Sequence, residues 1–256
     1  MPIMKHSLAT LLLTTAAISA VAVTEAGAGS MAPPRNVDDG KAAQAGAAVA
    51  NALTDLERSQ GWRLLFDGKS TAGWRGFRKT DLPSGWQVVD GALTRVAEAG
   101  DIVTTEQFAS FELAFDWNVA PGGNSGVFFR VTEDVDAVWQ SGPEFQILDN
   151  AAHRDGLTPA TSAGADYALH APTRDATRPP GSWNEARIVV RGSHVEHWLN
   201  GEKVVEYELG SADWVARVSK SKFGEYAAFG RAPKGHIALQ DHGDRVAYRN
   251  IKIRSL

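Results

Sequence analysis

The sequence predicts an all-β fold, a two-sheet antiparallel sandwich of jelly-roll type with one short helix ahead of it. Three observations carry that expectation. From Trp62 onward, apolar and polar residues alternate with period two through a dozen short runs, as strands with one buried face require. Asp90-Gly91 and Asn200-Gly201 join adjacent runs, and these residues tolerate the positive φ of two-residue hairpin turns. Helical periodicity is nearly absent and no internal repeat divides the region, so the strands are assigned to one sandwich.

In chain order, the first element reads as an address. Lys5 and His6 precede an apolar run from Leu8 to Val23, and Ala20-Val21-Ala22 supplies small residues for cleavage, so residues 1–22 are expected to be a signal peptide for export to the periplasm or beyond. Thr14, Thr15 and Ser19 interrupt the run, which falls short of the ~20 apolar residues of a membrane span. Residues 23–52 are rich in Ala and Gly and include Pro33-Pro34, the composition of a linker. Thr54-Asp55-Leu56-Glu57 has capping-box form, which predicts a helix starting there and stopping at Gly61. The domain is expected over 53–256. Its predicted strands are Trp62–Phe66, Trp86–Val89, Ala92–Val96, Ile102–Thr105, Phe111–Asn118, Val127–Val131, Glu144–Leu148, Arg187–Arg191, His194–Leu199, Lys203–Leu209, His236–Asp241 and Val246–Ile253. Residues 151–180 lack periodicity and read as a long loop, a kind of segment that tends to carry function.

Composition narrows the function. A net charge of −4 with interspersed signs offers no nucleic-acid-binding surface. The chain has no cysteine, which excludes disulfides, thiolate metal sites and a cysteine nucleophile. No G-x-S-x-G elbow, Walker loop or H-E-x-x-H occurs, removing the simplest hydrolase, nucleotide and zincin readings. His194 and His197 have odd spacing and so face opposite ways in a strand. His236 and His242 stand ~20 Å apart along a strand, too far for one ion. No cofactor is required on this evidence, although oxygen ligands for a divalent cation such as Ca²⁺ are plentiful in the turns.

Alternation also marks a wet face over a dry core. Glu144 and Gln146 point one way, with Phe145 and Ile147 pointing the other; His236, Ala238, Gln240 and His242 share a face, as do Arg130 and Phe128. If these strands are neighbours, Arg130, Glu144, Gln146, Gln240 and His242 line one groove. The same parity equally describes ordinary solvated positions on an outer sheet. Trp62, Trp74, Trp86, Trp183 and Trp198 are expected mostly in the core, whereas Trp139 and Trp214 lie in less periodic segments and suit a ligand platform.

Beyond these patterns, an ordered series of motifs spans 53–256: Gly61-Trp62-Arg63-Leu64-Leu65-Phe66-Asp67-Gly68, Trp86-Gln87-Val88-Val89-Asp90-Gly91, Gly123-Asn124-Ser125-Gly126 with Phe129-Arg130, Glu144-Phe145-Gln146-Ile147-Leu148-Asp149, Trp183-Asn184, Leu199-Asn200-Gly201 and Gly235-His236-Ile237-Ala238-Leu239-Gln240-Asp241-His242-Gly243. This series resembles the 3-keto-disaccharide hydrolase domain family. The resemblance implies a concanavalin-A-like lectin/glucanase sandwich that grips carbohydrate, and a small saccharide or glycoside substrate already oxidised to a ketone at C3. The ketone acidifies C2–H, so a base removes that proton, the C1 substituent leaves and water adds. On that implication Glu144 is the candidate base, His242 the candidate acid, and Arg130 with Gln146 or Gln240 the candidate stabilisers of negative charge. Asn124, Asp149 and Tyr167 are substrate-binding candidates, although Asn124 also suits a purely local turn role. His153 and His170, in the long loop, are candidates to close over the site. The alternative is a lectin-like carbohydrate-binding module without turnover, since the same fold serves both.

Overall fold

The computed structural model describes residues 49–256; the expected signal peptide and the linker up to residue 48 lie outside them. Asn51 is tied to the body of the domain: its N–H donates to Asn250 Oδ1, its Oδ1 accepts from the Asn250 N–H, and its Nδ2 donates to the Gly91 carbonyl. The helix α1 spans Asp55–Ser59 and carries the expected capping box. The Glu57 N–H donates to the Thr54 hydroxyl at 3.2 Å while the Thr54 N–H donates to Glu57 Oε2 at 2.8 Å.

Thirteen strands follow: β1 (Arg63–Leu64), β2 (Trp74–Gly76), β3 (Trp86–Val89), β4 (Ala92–Arg95), β5 (Ile102–Thr104), β6 (Phe111–Val119), β7 (Asn124–Val131), β8 (Glu144–Leu148), β9 (Asn184–Arg191), β10 (His194–Leu199), β11 (Glu202–Glu208), β12 (His236–Leu239) and β13 (Val246–Ser255). They form two antiparallel sheets. One runs β11-β10-β9-β6-β13-β4-β3, with β1 added on β13; the other runs β2-β5-β12-β7-β8. Every run expected from alternation is a strand, with some ends displaced by a few residues. Two elements lack that signal. β2 is too short to display a period, and the nine-residue helix α2 (Ala212–Lys220), capped by Ser211, is amphipathic but short: it packs Trp214 and Val218 on the core, an apolar side of little more than one turn that gives a weak periodic signal.

The sheets meet through aromatic contacts between their inner faces. Phe115 of β6 meets Phe145 of β8 edge-on at 5.8 Å, and Phe111 of β6 meets Phe129 of β7 at 6.3 Å, a favoured geometry for ring quadrupoles. Ser125 and Tyr248 share a hydrogen bond of 2.8 Å across the same interior. Trp74 and Trp86 are buried as expected, but Trp62, Trp183 and Trp198 are only half-buried. They lie beneath the guanidinium groups of Arg254, Arg249 and Arg187 at 5.1, 4.1 and 4.1 Å. Stacked arginine stems, not a second layer of protein, cover these rings.

A second small cluster, Val103, Phe128, Val131, Val138 and Ala238, lies on the outer face of the five-stranded sheet. It exposes a break in parity. Phe128 pairs with Ala238 and Val131 with His236, so three steps along β7 answer two along β12, as in a β-bulge. Arg130 adopts φ 56° inside it. Arg130 therefore leaves the face that it would share with Phe128 in a regular strand, and Val131 takes its place. The opposing Gly235 permits the approach: a methyl group there would lie 2.6 Å from the Val131 carbonyl oxygen and 2.7 Å from Arg130 Cα. Gly235→Ala is accordingly expected to lower stability by about 1–3 kcal/mol in chemical denaturation, as overpacking does, whereas a wild-type midpoint would show that the bulge relaxes freely.

Candidate active site

The long loop is ordered against β8. Gly164 N–H donates to the Gln146 carbonyl at 2.8 Å, Gln146 N–H to the Ala165 carbonyl at 3.1 Å, and Tyr167 N–H to the Glu144 carbonyl at 3.1 Å. These bonds carry Tyr167 to the mouth of a cavity of 180 Å³ on the outer face of the five-stranded sheet. Its lining comprises Asn124 of β7, Glu144 and Gln146 of β8, Gln240 and His242 beyond β12, and Trp139, Tyr167 and Lys222 from connecting segments. Period two explains the floor: Gly126 pairs with Gln146 and Phe128 with Glu144, so these side chains emerge together on the side opposite Phe145 and Ile147.

Glu144 is buried, with 6% of its surface exposed. A methyl group on Gly126 would come within 2.8 Å of the Glu144 carboxyl carbon, so this glycine makes the room in which the carboxyl lies. Burial pushes the Glu144 carboxyl up to about 8; the Lys222 ammonium opposes the shift, and Asp101, Asp166 and Asp155 reinforce it. The free site therefore holds its proton at neutral pH. Gln146 orients this group: its amide nitrogen donates to the Ser125 carbonyl at 3.0 Å and to Glu144 Oε1 at 3.1 Å, the orientation that matches both ends of the amide. Lys222 sits over the Tyr167 ring at 4.5 Å and near Trp139 at 5.7 Å, a cation steadied by aromatic faces.

Two acceptors in this lining, Asn124 Oδ1 and Gln240 Oε1, are buried without hydrogen-bond partners. Their main chains are fully engaged: Asn124 N–H donates to Asp244 Oδ2 at 3.1 Å, and Gln240 N–H to the Gly126 carbonyl at 3.0 Å. The amide oxygens are thus free for ligand donors. Tyr167 donates its hydroxyl to Asp155 Oδ2 at 3.2 Å. His242 is exposed at the rim, with the His153 ring 6.3 Å away.

The family model described as the 3-keto-alpha-glucoside-1,2-lyase-like domain matches residues 61–254. The chain belongs to this family, the 3-keto-disaccharide hydrolase domain family. A curated relative from Bacteroides thetaiotaomicron, a 3-keto-disaccharide hydrolase, is 34% identical over 230 residues, covering 77% of this chain and 79% of its own. A solved structure from Parabacteroides distasonis ATCC 8503, described as a candidate glycosyl hydrolase, is 35% identical with a TM-score of 0.76, over 81% of this chain and 100% of the other. A second such structure from that organism is 30% identical with a TM-score of 0.60, over 76% and 99%.

Of the residues singled out from sequence in this family member, Glu144, Gln146, Gln240, Asn124, Tyr167 and His242 are brought together. Arg130 is not: the bulge sends it to another cavity, where it donates to the Gly192 carbonyl. Asp149 is not either. Its two carboxylate oxygens accept from the Gly122 and Ala151 N–H groups at 2.8 and 3.0 Å, so it joins two turns and borders a separate cavity of 240 Å³. His236 binds the Thr104 carbonyl through Nδ1 at 2.7 Å. His170 pairs with Asp166 at 2.8 Å and stacks on Tyr207 at 4.9 Å, away from this lining. Trp139 lines the same pocket as Glu144, while Trp214 lines the Arg130 cavity. Lys222 escaped notice because it follows the unrecognised α2 in a segment without periodicity.

Among the described residues, ligand atoms of His194, Glu196 and Glu206 converge within 4.8 Å of one another and could hold a cation. This group belongs to β10 and β11 in the other sheet, and Lys203 Nζ shares its oxygens, 3.5 Å from Glu196 and 2.5 Å from Glu206. No described helix is long and apolar enough to cross a membrane.

The raised Glu144 value has a thermodynamic sign. Below its ordinary value of 4.5 both folded and unfolded chains are protonated; from there to about 8 the unfolded chain ionises first, so stability falls as pH rises. Glu144→Gln is expected to raise Tm, by about 2–4 °C for each kcal/mol recovered. The gain over wild type should be small at pH 5 and fully developed above pH ~8; equal gains throughout would contradict a buried, protonated carboxyl.

Proposed function

We propose that the protein is an exported enzyme that cleaves 3-keto-glycosides, including 3-keto-disaccharides, through proton abstraction at C2. The observation that carries this reading is that Glu144 is the one carboxyl group in the lining of its pocket. A conventional glycosidase places two carboxyl groups about 5–10 Å apart to manage an oxocarbenium-like transition state. A 3-ketosugar needs one base, because the ketone makes the C2 proton acidic. The family and the name of its relative in Bacteroides thetaiotaomicron support the same substrate class, and the leader-like first residues support export.

In this mechanism a hydroxyl-rich ring donates to Asn124 Oδ1 and Gln240 Oε1, satisfying the two unpartnered acceptors. Glu144, ionised when it acts, takes the C2 proton, and the electron pair moves into the C2–C3 bond as the ketone becomes an enolate. The Lys222 ammonium, across the pocket from Glu144, stabilises the enolate oxygen, the part that the sequence offered to Arg130. Collapse of the enolate forms the C1–C2 double bond and expels the C1 oxygen, which His242 at the open rim protonates. Water then adds to C1 and a proton returns to C2, so the net reaction is hydrolysis. Trp139 and Tyr167 supply the flat walls on which a sugar ring packs. A carboxyl whose value lies near 8 is a stronger base than a solvated one and is still ionised in part at neutral pH.

Incubation with 3-keto-trehalose should release the unoxidised sugar, and in deuterated water the keto product should carry deuterium at C2. Glu144→Gln is expected to reduce kcat by about 10²–10⁴-fold while the protein stays folded. For the wild type, kcat/KM should rise with pH and level off near 8, reporting ionisation of the free base. Lys222→Met should lower kcat by about 10²-fold or more with KM less affected. Tight binding of the ketosugar without release of product would instead identify a lectin-like module.

A further inference from the structure

A second cavity, of 520 Å³, opens where the bulge of β7, the Gly192 turn between β9 and β10, and the first turns of α2 converge. Its chemistry is the reverse of the Glu144 pocket. Two buried donors, Arg130 Nε and Trp214 Nε1, have no acceptor. Arg130 is 8% exposed and Trp214 4%. The Arg130 side chain bonds only to the Gly192 carbonyl and forms no ion pair among the described residues. Arg231 lies in the same lining, which contains no acidic residue.

Each of these features is costly alone. A buried guanidinium without a counter-charge is destabilising, because desolvation is not offset by a partner. Buried N–H groups without acceptors lose the hydrogen bonds that water would supply. Arg130 also sits at positive φ, an uncommon conformation for a residue other than glycine and one that collects at functional sites. All three meet at one opening. A neutral hydroxyl would answer one donor and leave the charge unanswered; an oxyanion with several acceptor atoms answers both donors and both guanidinium groups.

We propose that this cavity is an anion-binding site, taking a carboxylate, sulfate or phosphate group against Arg130 and Arg231. Leu209, Val215 and Pro233 form an apolar part of the wall, and the volume exceeds that of a bare ion, so a ligand bearing an organic body beside its oxyanion fits best. The site is distinct from the Glu144 pocket and does not depend on the reaction assigned to it.

Isothermal titration calorimetry on the full chain, at constant ionic strength against chloride, tests this with two probes, inorganic sulfate and benzoate. Saturable 1:1 binding of either is expected; sulfate alone indicates a site for the bare oxyanion, and benzoate binding more tightly indicates use of the apolar wall. Arg231→Ala, an exposed position that leaves folding intact, should weaken binding about tenfold or more. Arg130→Gln should do the same where it folds, whereas Glu144→Gln should leave binding unchanged. Absence of saturable binding by both probes would overturn the proposal, and so would affinities that are the same in wild type and Arg231→Ala.

Discussion

The arrangement depends on placing one carboxyl group in the wall of a sheet without solvent around it. Glu144 fits there because Gly126 on the neighbouring strand has no side chain, so removal of water and lateral packing are achieved by the same absence. Desolvation then does the chemical tuning: it raises the proton affinity of the group, and Lys222 limits the rise. Gln146 fixes the direction of the carboxyl, while main-chain bonds from residues 164–167 fix the strand that bears it. A carboxyl prepared in this way is stored protonated and desolvated, at some expense of fold stability.

Much of this was legible because a strand permits few choices. Once Phe145 and Ile147 are recognised as core, Glu144 and Gln146 must share the opposite face, and the same reasoning places Gln240; Asn124 comes instead from the family resemblance. The reasoning failed at Arg130 for a definite cause. One inserted residue with left-handed geometry reverses parity, and the run Phe128-Phe129-Arg130-Val131 contains no glycine at the bulge to announce it; the only local hint is Gly235 on the facing strand. Asp149 misled differently, since an Asp at a strand end has the composition of a ligand and the duties of a turn. Lys222 and Trp139 come from segments without periodicity, where proximity to β8 is decided by tertiary packing alone. Sequence order still identified the family, because its motifs record the whole set of turns and strands.

The same bulge divides the molecule chemically. On one side of β7 lie unpartnered acceptors and a protonated acid; on the other lie unpartnered donors and guanidinium groups. Had β7 been regular, Arg130 would stand with Phe128 above Glu144, where a guanidinium beside the carboxyl would favour its ionised form and lower its proton affinity. The irregularity therefore protects the basicity of Glu144 by exporting a positive charge to a separate compartment. Lys222, more distant and exposed, leaves most of that basicity in place.

One consequence reaches beyond the pocket. β8 is the terminal strand of its sheet, and an uncovered terminal strand invites another chain to pair with its free main-chain groups. Here the protein's own residues 164–167 occupy that border with three main-chain hydrogen bonds. Any foreign strand docking there must first peel this segment away, and Tyr167 would leave the wall of the Glu144 pocket with it. An intact pocket wall and edge-to-edge polymerisation at this border are thus mutually exclusive states of one short stretch of backbone.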